Sequence, residues 1–157
     1  MNKSLPKPAM VAVDLDNITV SEGGFDIVDI PRFMNRVVAE VGRNCIVNVF
    51  ANGMPLSIEK VWNRCGATIT RTKVNADPFI EDFLFEGDDV SSVLVVSGDH
   101  FFTNVCSWHA SLGHRVIVWA RARKASYDLV FGSGAARIDF IDDLIINNRK
   151  KLAVLAG

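Results

Sequence analysis

Two short stretches of this chain place carboxylates where apolar runs end. Asp14-Leu15-Asp16-Asn17 follows Met10–Val13, and Ser97-Gly98-Asp99-His100 follows Val93–Val96. Loop polarity alone does not call for an aspartate directly behind each of two hydrophobic strands. Converging carboxylates repel one another unless a cation or protons neutralise them. Oxygen donors with no accompanying His or Cys cluster suit Mg2+ or Mn2+. Such an ion polarises a phosphoryl oxygen and activates a water. The chemistry this pattern predicts is at a phosphodiester or phosphoryl group.

Positioning these residues falls to an alternation of β-branched runs and amphipathic stretches. Strands are predicted at 10–13, 46–50, 68–71, 93–96, 115–119 and 138–141, the third more polar than the others. Between them, apolar residues at helical spacing predict helices over 30–41, closed by Gly42, and over 55–65, with Pro55 in the first turn. Further helices are predicted at 76–86, 100–112, 125–131 and 142–156. Continuous apolar strands alternating with helices mean βαβ units. The expected fold is therefore α/β: three layers, helix on sheet on helix, around a mostly parallel sheet of five or six strands.

In such a sheet ligands gather beyond the carboxyl ends of the strands. There the sequence places Asp14, Asp16 and Asn17 after strand one, and Asn52 after strand two. Lys73 and Asp77 follow strand three, Ser97, Asp99 and His100 follow strand four, and Arg121, Arg123 and Lys124 follow strand five. Lys73 and the three basic residues after strand five are either phosphate contacts or a solvated loop. Asn17 serves either as a site amide or as a turn residue, and Asp77 either as a ligand or as a first-turn acid favoured by the helix dipole. His100 either assists proton transfer or simply starts a helix. Phe102, and with it Phe101, is expected to pack in the core, with stacking on a base as the other use of Phe101. His109 and His114 lack ligand-like spacing. Gly132-Ser133-Gly134 lacks the third glycine of a dinucleotide fingerprint. Arg149-Lys150-Lys151 is a helix face or tail.

The bulk properties set the frame. The chain has 157 residues, enough for one domain with a real core, here expected over 9–157 behind a loose segment 1–8. Hydrophobic residues make up 49% and charged residues 22%, which excludes a disordered chain. No apolar run approaches the ~20 residues needed to span a bilayer. The start, MNKSLPKPAM, holds no apolar stretch of signal-peptide length, so a cytoplasmic protein is expected. Cys45, Cys65 and Cys106 are an odd set at wide spacing, neither a disulfide framework nor a zinc pattern. A net charge of −1 gives no global attraction to nucleic acid, so any such partner must be held by local basic patches.

Val11-Ala-Val-Asp-Leu-Asp-Asn17 together with Val95-Val-Ser-Gly-Asp-His-Phe-Phe102 resembles the NYN domains of the PIN-like nuclease superfamily. Those domains show an apolar strand ending in Asp with an Asn three residues on. A Lys…Asp segment opens a central helix, a strand ends in Ser-Gly-Asp-x-Asp-Phe, and a Gly-x-x-Val strand follows, matched here by Gly113-His-Arg-Val116. Order and spacing agree over residues 10 to 145. The resemblance implies Mg2+- or Mn2+-dependent cleavage of RNA by a metal-activated water. It makes Asp14, Asp77 and Asp99 the ligands and Asn17 the orienting amide, with RNA as partner, no membrane, and pairing into a homodimer as an open possibility.

The chain departs from that pattern in two places. Phe101 replaces the second acid of the Ser-Gly-Asp-x-Asp-Phe motif, and Pro78 follows Asp77 without the usual spacing to a second acid, which leaves Glu81 or Asp82 as substitutes. Losing a carboxylate that supports the ligands costs roughly 10- to 100-fold in metal affinity. Asp16 is the residue available to compensate, because alternation along an extended segment points Asp14 and Asp16 the same way. Two other functions compete. Asp14-Leu-Asp16 also resembles the nucleophile and acid pair of haloacid-dehalogenase-like phosphatases, although Ile18 and Thr103 stand where that family has other residues. A weakened site that binds RNA or a protein without turnover is the non-enzymatic alternative.

Overall fold

The computed structural model describes residues 6–19 and 25–147. The six strands are β1 (Ala9–Asp14), β2 (Cys45–Ala51), β3 (Thr68–Arg71), β4 (Ser92–Val96), β5 (Arg115–Ala120) and β6 (Arg137–Phe140). They form one sheet in the order β3-β2-β1-β4-β5-β6, and every neighbouring pair runs parallel. The expected α/β architecture is the one observed. A parallel sheet covered on both faces explains why β1 and β4 are buried along their whole length. The polar third and sixth strands are the two edges, where half-exposed side chains are tolerated.

The helices are α1 (Leu15–Thr19), α2 (Ile30–Val41), α3 (Leu56–Arg64), α4 (Asp77–Phe85), α5 (Thr103–Ser111) and α6 (Tyr127–Gly132). Strand periodicity of two sends alternate side chains to opposite faces. Val11, Val13, Leu94, Val96, Ile117 and Trp119 join a core under α2 and α3. Met10, Ala12, Val93, Val95, Val116 and Val118 join a second core under α4, α5 and α6. By the same alternation Asp14 and Ser97 fall on the second face, beside the start of α4.

Local chemistry departs from the sequence reading in four places. The chain does not stay extended after Asp14 but turns at once into α1. Pro55 precedes α3 at its N-cap position instead of lying in the first turn. The segment from His100 opens with a single 3-10 turn, His100–Phe102, before α5 begins. The helix expected from 142 starts as a π-helical stretch, Asp142–Ile146. Its continuation, the basic cluster at 149–151 and residues 1–5 of the N-terminal segment lie outside the described residues.

The strand order reverses its direction of growth between β1 and β4. In doubly wound sheets this switch opens a crevice at the carboxyl ends of the two strands, and ligands bind there. The two sequence stretches that concentrate carboxylates are the ends of β1 and β4. Dinucleotide-binding folds place a glycine-rich turn after β1, whereas here Asp14 and Asp16 occupy it.

Candidate functional site

Asp14 is the last residue of β1 and only 6% exposed. Ser97, one residue beyond β4 and fully buried, donates its hydroxyl to Asp14 Oδ2 at 2.9 Å. The Ser97 Oγ in turn accepts the Asp99 amide at 3.2 Å, so one hydroxyl links the two acidic strand ends. Asn17 completes the junction from α1, its Oδ1 accepting the Gly98 amide at 3.0 Å. Its amide thus holds the loop that carries Asp99 and makes no contact that requires a ligand.

Asp77 approaches from the first turn of α4. Its backbone amide donates to Asn75 Oδ1 at 3.1 Å and its Oδ2 accepts from Asn75 Nδ2 at 3.3 Å, which fixes the entry to the helix. Asp99 caps the 3-10 turn, accepting the Phe101 amide on Oδ1 at 2.9 Å, with His100 Nδ1 3.4 Å away. Capping alone would account for an aspartate there. It does not account for the electrostatics of the group.

Burial pushes the Asp14 carboxyl up to about 6, opposed by the Ser97 hydrogen bond and reinforced by the charges of Asp77, Asp16 and Asp99. Asp77 is raised as well, first by burial and next by Asp99, whose carboxyl it also meets through a hydrogen bond. Acidic residues from β1, α1, α4 and the β4 loop therefore share one field at the switch point. Glu81 and Asp82, the substitutes considered for the missing acid, are not among the charges that raise Asp14. Among the described residues, no three His, Cys, Asp or Glu side chains already close on one point as a finished metal cage. The donors fit a hard divalent cation in kind: they are oxygens, they repel, and their most buried member resists ionisation. Asp77 and Asp99 would have to turn inward to meet one.

Several expectations about individual residues are revised. Asp14 and Asp16 do not point the same way, because helix α1 interrupts the strand alternation. Asp16 Oδ2 accepts the Asn52 amide at 3.0 Å, which ties Asp16 to the end of β2. Ser97, grouped with the substrate-side residues in the sequence, is buried and its hydroxyl is committed to Asp14 and Asp99. Arg121 is not a free phosphate ligand. Its Nε lies 3.2 Å from Asp142 Oδ2 and its Nη1 donates to the Ile18 carbonyl at 3.0 Å. Burial works to raise Asp142, but the Ala122 amide and Arg121 hold it below the usual carboxylate range. Phe102 is buried as expected, whereas Phe101 is 37% exposed.

Lys73, Arg123 and Lys124 are exposed at the same edge of the sheet, as are Asn52 and His100. The loop bearing Arg123 and Lys124 is held against the site. Ser126 donates its amide to the Gly98 carbonyl at 2.9 Å. A Cβ on Gly98 would stand 2.2 Å from the Lys124 carbonyl oxygen. Gly98 is thus a glycine because another backbone lies on it, a close approach that the sequence stretch itself did not reveal.

No family model matches the chain, and no curated protein matches it. Among solved structures it is similar to the crystal structure of VPA0982 from Vibrio parahaemolyticus RIMD 2210633, described as a protein of unknown function. The TM-score is 0.73 at 20% identity, over 92% of this chain and 99% of the other. Likeness at that identity extends to the fold: a helix-flanked parallel sheet over nearly the whole of both chains.

Proposed function

We propose that this protein is a divalent-metal-dependent ribonuclease with its centre at the ends of β1 and β4. The observation that carries the reading is the buried Asp14 carboxylate, raised to about 6 with Asp77, Asp16 and Asp99 around it. Folding alone gains nothing from such a group, and perturbed titration in a cleft is a mark of functional sites. The resemblance to NYN domains supports the same centre and supplies the substrate class.

In this reading Asp14, Asp77 and Asp99 hold Mg2+ or Mn2+. When bound, the ion supplies a polarised phosphoryl oxygen and an activated water. Ser97 keeps Asp14 oriented, and Asn17 holds the Gly98 loop that carries Asp99, whose carboxylate turns inward to complete the group. Lys73, Arg123 and Lys124 bind phosphates on either side of the centre, which a chain of net charge −1 needs locally. Asp16, tied to Asn52, sits at the margin of the metal group.

A second reading has its own observation. Asp99 already spends one oxygen on the Phe101 amide, and Phe101 is exposed where the NYN pattern has an acid. A domain that binds RNA without cutting it would look like this. The phosphatase reading fares worse, since it asks Asp14, 6% exposed and bonded to Ser97, to attack phosphorus.

The test is incubation of the protein with single-stranded RNA in Mg2+, in Mn2+ and with chelator. Metal-dependent cleavage lost in Asp14→Asn and Asp99→Asn is expected. Binding without turnover would hand the site to the second reading. Hydrolysis of small phosphate esters with RNA left intact would favour the phosphatase.

A further inference from the structure

A cavity of about 290 Å³ opens at the carboxyl ends of β1 and β2, on the α2 and α3 side of the sheet. Asp16 and Asn52 stand in its wall, and their mutual hydrogen bond joins it to the acidic centre. Phe25, Met54, Ile58 and Trp62 give it an apolar and aromatic lining. The Phe25 and Trp62 rings stack with centroids 5.9 Å apart and planes inclined by 19°. Among the described residues, the acidic members of the lining are Asp16 and Asp26, and no lysine or arginine belongs to it.

We infer that this cavity binds one nucleobase of the RNA next to the cleaved phosphate, and that it prefers guanine. The inference rests on the ribonuclease reading for its ligand class and goes beyond it in naming a specificity pocket. Size points to a single base, since the volume lies at the lower end of small-molecule sites. The lining suits a flat aromatic ring, because unpaired bases are bound by aromatic contacts and by hydrogen bonds to their edges. Charge excludes a phosphate, since acids with no cation would repel it. Acceptors in the wall select donors on the ligand. Asp26 accepts the Ile27 amide on Oδ1 and Asp16 accepts the Asn52 amide on Oδ2, so Asp16 Oδ1 is the oxygen assigned to the base. Guanine presents an N–H and an amino group side by side on one edge. Uracil presents one N–H between two carbonyl oxygens, which the carboxylates oppose.

Titration of the full-length protein with guanosine and with uridine tests this without relying on catalysis. Guanosine is expected to saturate the protein and to bind about tenfold tighter than uridine, a difference of ~1.4 kcal/mol. Binding should survive in Asp99→Asn, which lies outside the cavity. It should be lost in Ile58→Trp, which fills the cavity. It should also be lost in Asn52→Arg, which changes an exposed side chain and sets a cation beside Asp16, so a folding defect in the first variant leaves the test intact. Guanosine binding that both folded variants retain, or no saturable binding at all, overturns the pocket. RNA cleavage without base preference and without nucleoside binding would also sink the pocket while leaving the nuclease standing. Guanosine binding by a protein that cuts no RNA keeps the pocket and removes the nuclease.

Discussion

The Ser97 hydroxyl donates to Asp14 Oδ2 at 2.9 Å and accepts the Asp99 amide at 3.2 Å, so one buried serine fixes the spacing of two acidic strand ends. Ser97→Ala removes the hydrogen bond that lowers the Asp14 carboxyl. The variant is expected to lose ~1 kcal/mol of stability and to cut RNA more slowly at neutral pH. The acid limb of its pH-rate profile should move upward relative to the native protein. An unchanged profile would mean that Ser97 merely fills space.

Asp14 sets function against stability. Its folded value of about 6 exceeds the ordinary 3.8, so the native state keeps the proton to higher pH than the unfolded chain. The sign follows: stability is greatest in acid and declines as pH rises from about 4 to about 6. The ceiling of that penalty is ~3 kcal/mol. Asp14→Asn keeps an acceptor for Ser97 and sheds the charge. It should melt at a higher temperature than the native protein at pH 7, match it near pH 4, and have no metal-dependent activity. Mg2+ or Mn2+ should raise the melting temperature of the native protein and leave that of the variant unmoved.

Two arginines only two residues apart should behave in opposite ways. Arg121→Ala takes the charged partner from Asp142, which keeps the Ala122 amide, and the shorter of two hydrogen bonds from the Ile18 carbonyl, which keeps the Phe25 amide at 3.4 Å. It should cost on the order of 2–3 kcal/mol, visible in denaturant titration. Arg123→Ala removes an exposed cation and should leave stability within ~0.5 kcal/mol. Its effect should appear in RNA affinity, with the salt dependence of binding reduced by about one phosphate contact.

Gly98→Ala tests the backbone latch. The new methyl would meet the Lys124 carbonyl oxygen at 2.2 Å, and neither backbone can move without breaking the Ser126 to Gly98 bond. A loss of ~1–3 kcal/mol is expected from the overpacking. Because the displaced loop carries Arg123 and Lys124, RNA affinity should fall together with stability.

His109 gives the fold an acid limit on the far side of α5. Burial lowers its value, against a hydrogen bond to the Leu84 carbonyl at 2.7 Å that works to raise it, and His114 Nδ1 stands 2.9 Å from its own Nδ1. A histidine depressed by folding binds its proton more readily when unfolded, so stability falls as pH drops through ~6.5. Melting temperatures between pH 5 and 8 should show this decline in the native protein and a shallower one in His109→Gln.

Periodicity made the sheet legible. Continuous apolar runs placed β1, β2, β4 and β5 within about two residues, because parallel strands inside a covered sheet leave that signature, and the more polar β3 and β6 fell at the edges. The two acidic strand ends were legible for the same reason, since a carboxylate closing an apolar run stands out. Asp16 was misplaced because strand alternation was carried past Asp14, whereas Leu15–Thr19 folds into a helix too short to show a period. The hydrogen-bond partners of Arg121 and Ser97 were not legible because they lie far along the chain: Ile18 and Asp142 for one, Asp14 for the other. The cavity beside Asp16 left no local mark, since its walls come from four separate stretches of sequence. His109 and His114 lack ligand-like spacing, and their ring contact arises from the turn after α5, which leaves no mark in the sequence.

The switch between β1 and β4 also divides the polypeptide in two. The first half, through α4, carries Asp14, Asn17 and Asp77, and the second brings Ser97, Gly98 and Asp99. Neither half owns a complete acidic group. During synthesis the growing chain therefore lacks the full acidic group until β4 has emerged and slid in beside β1. A protein severed between Phe85 and Ser92 would rebuild that group only by reuniting its two pieces.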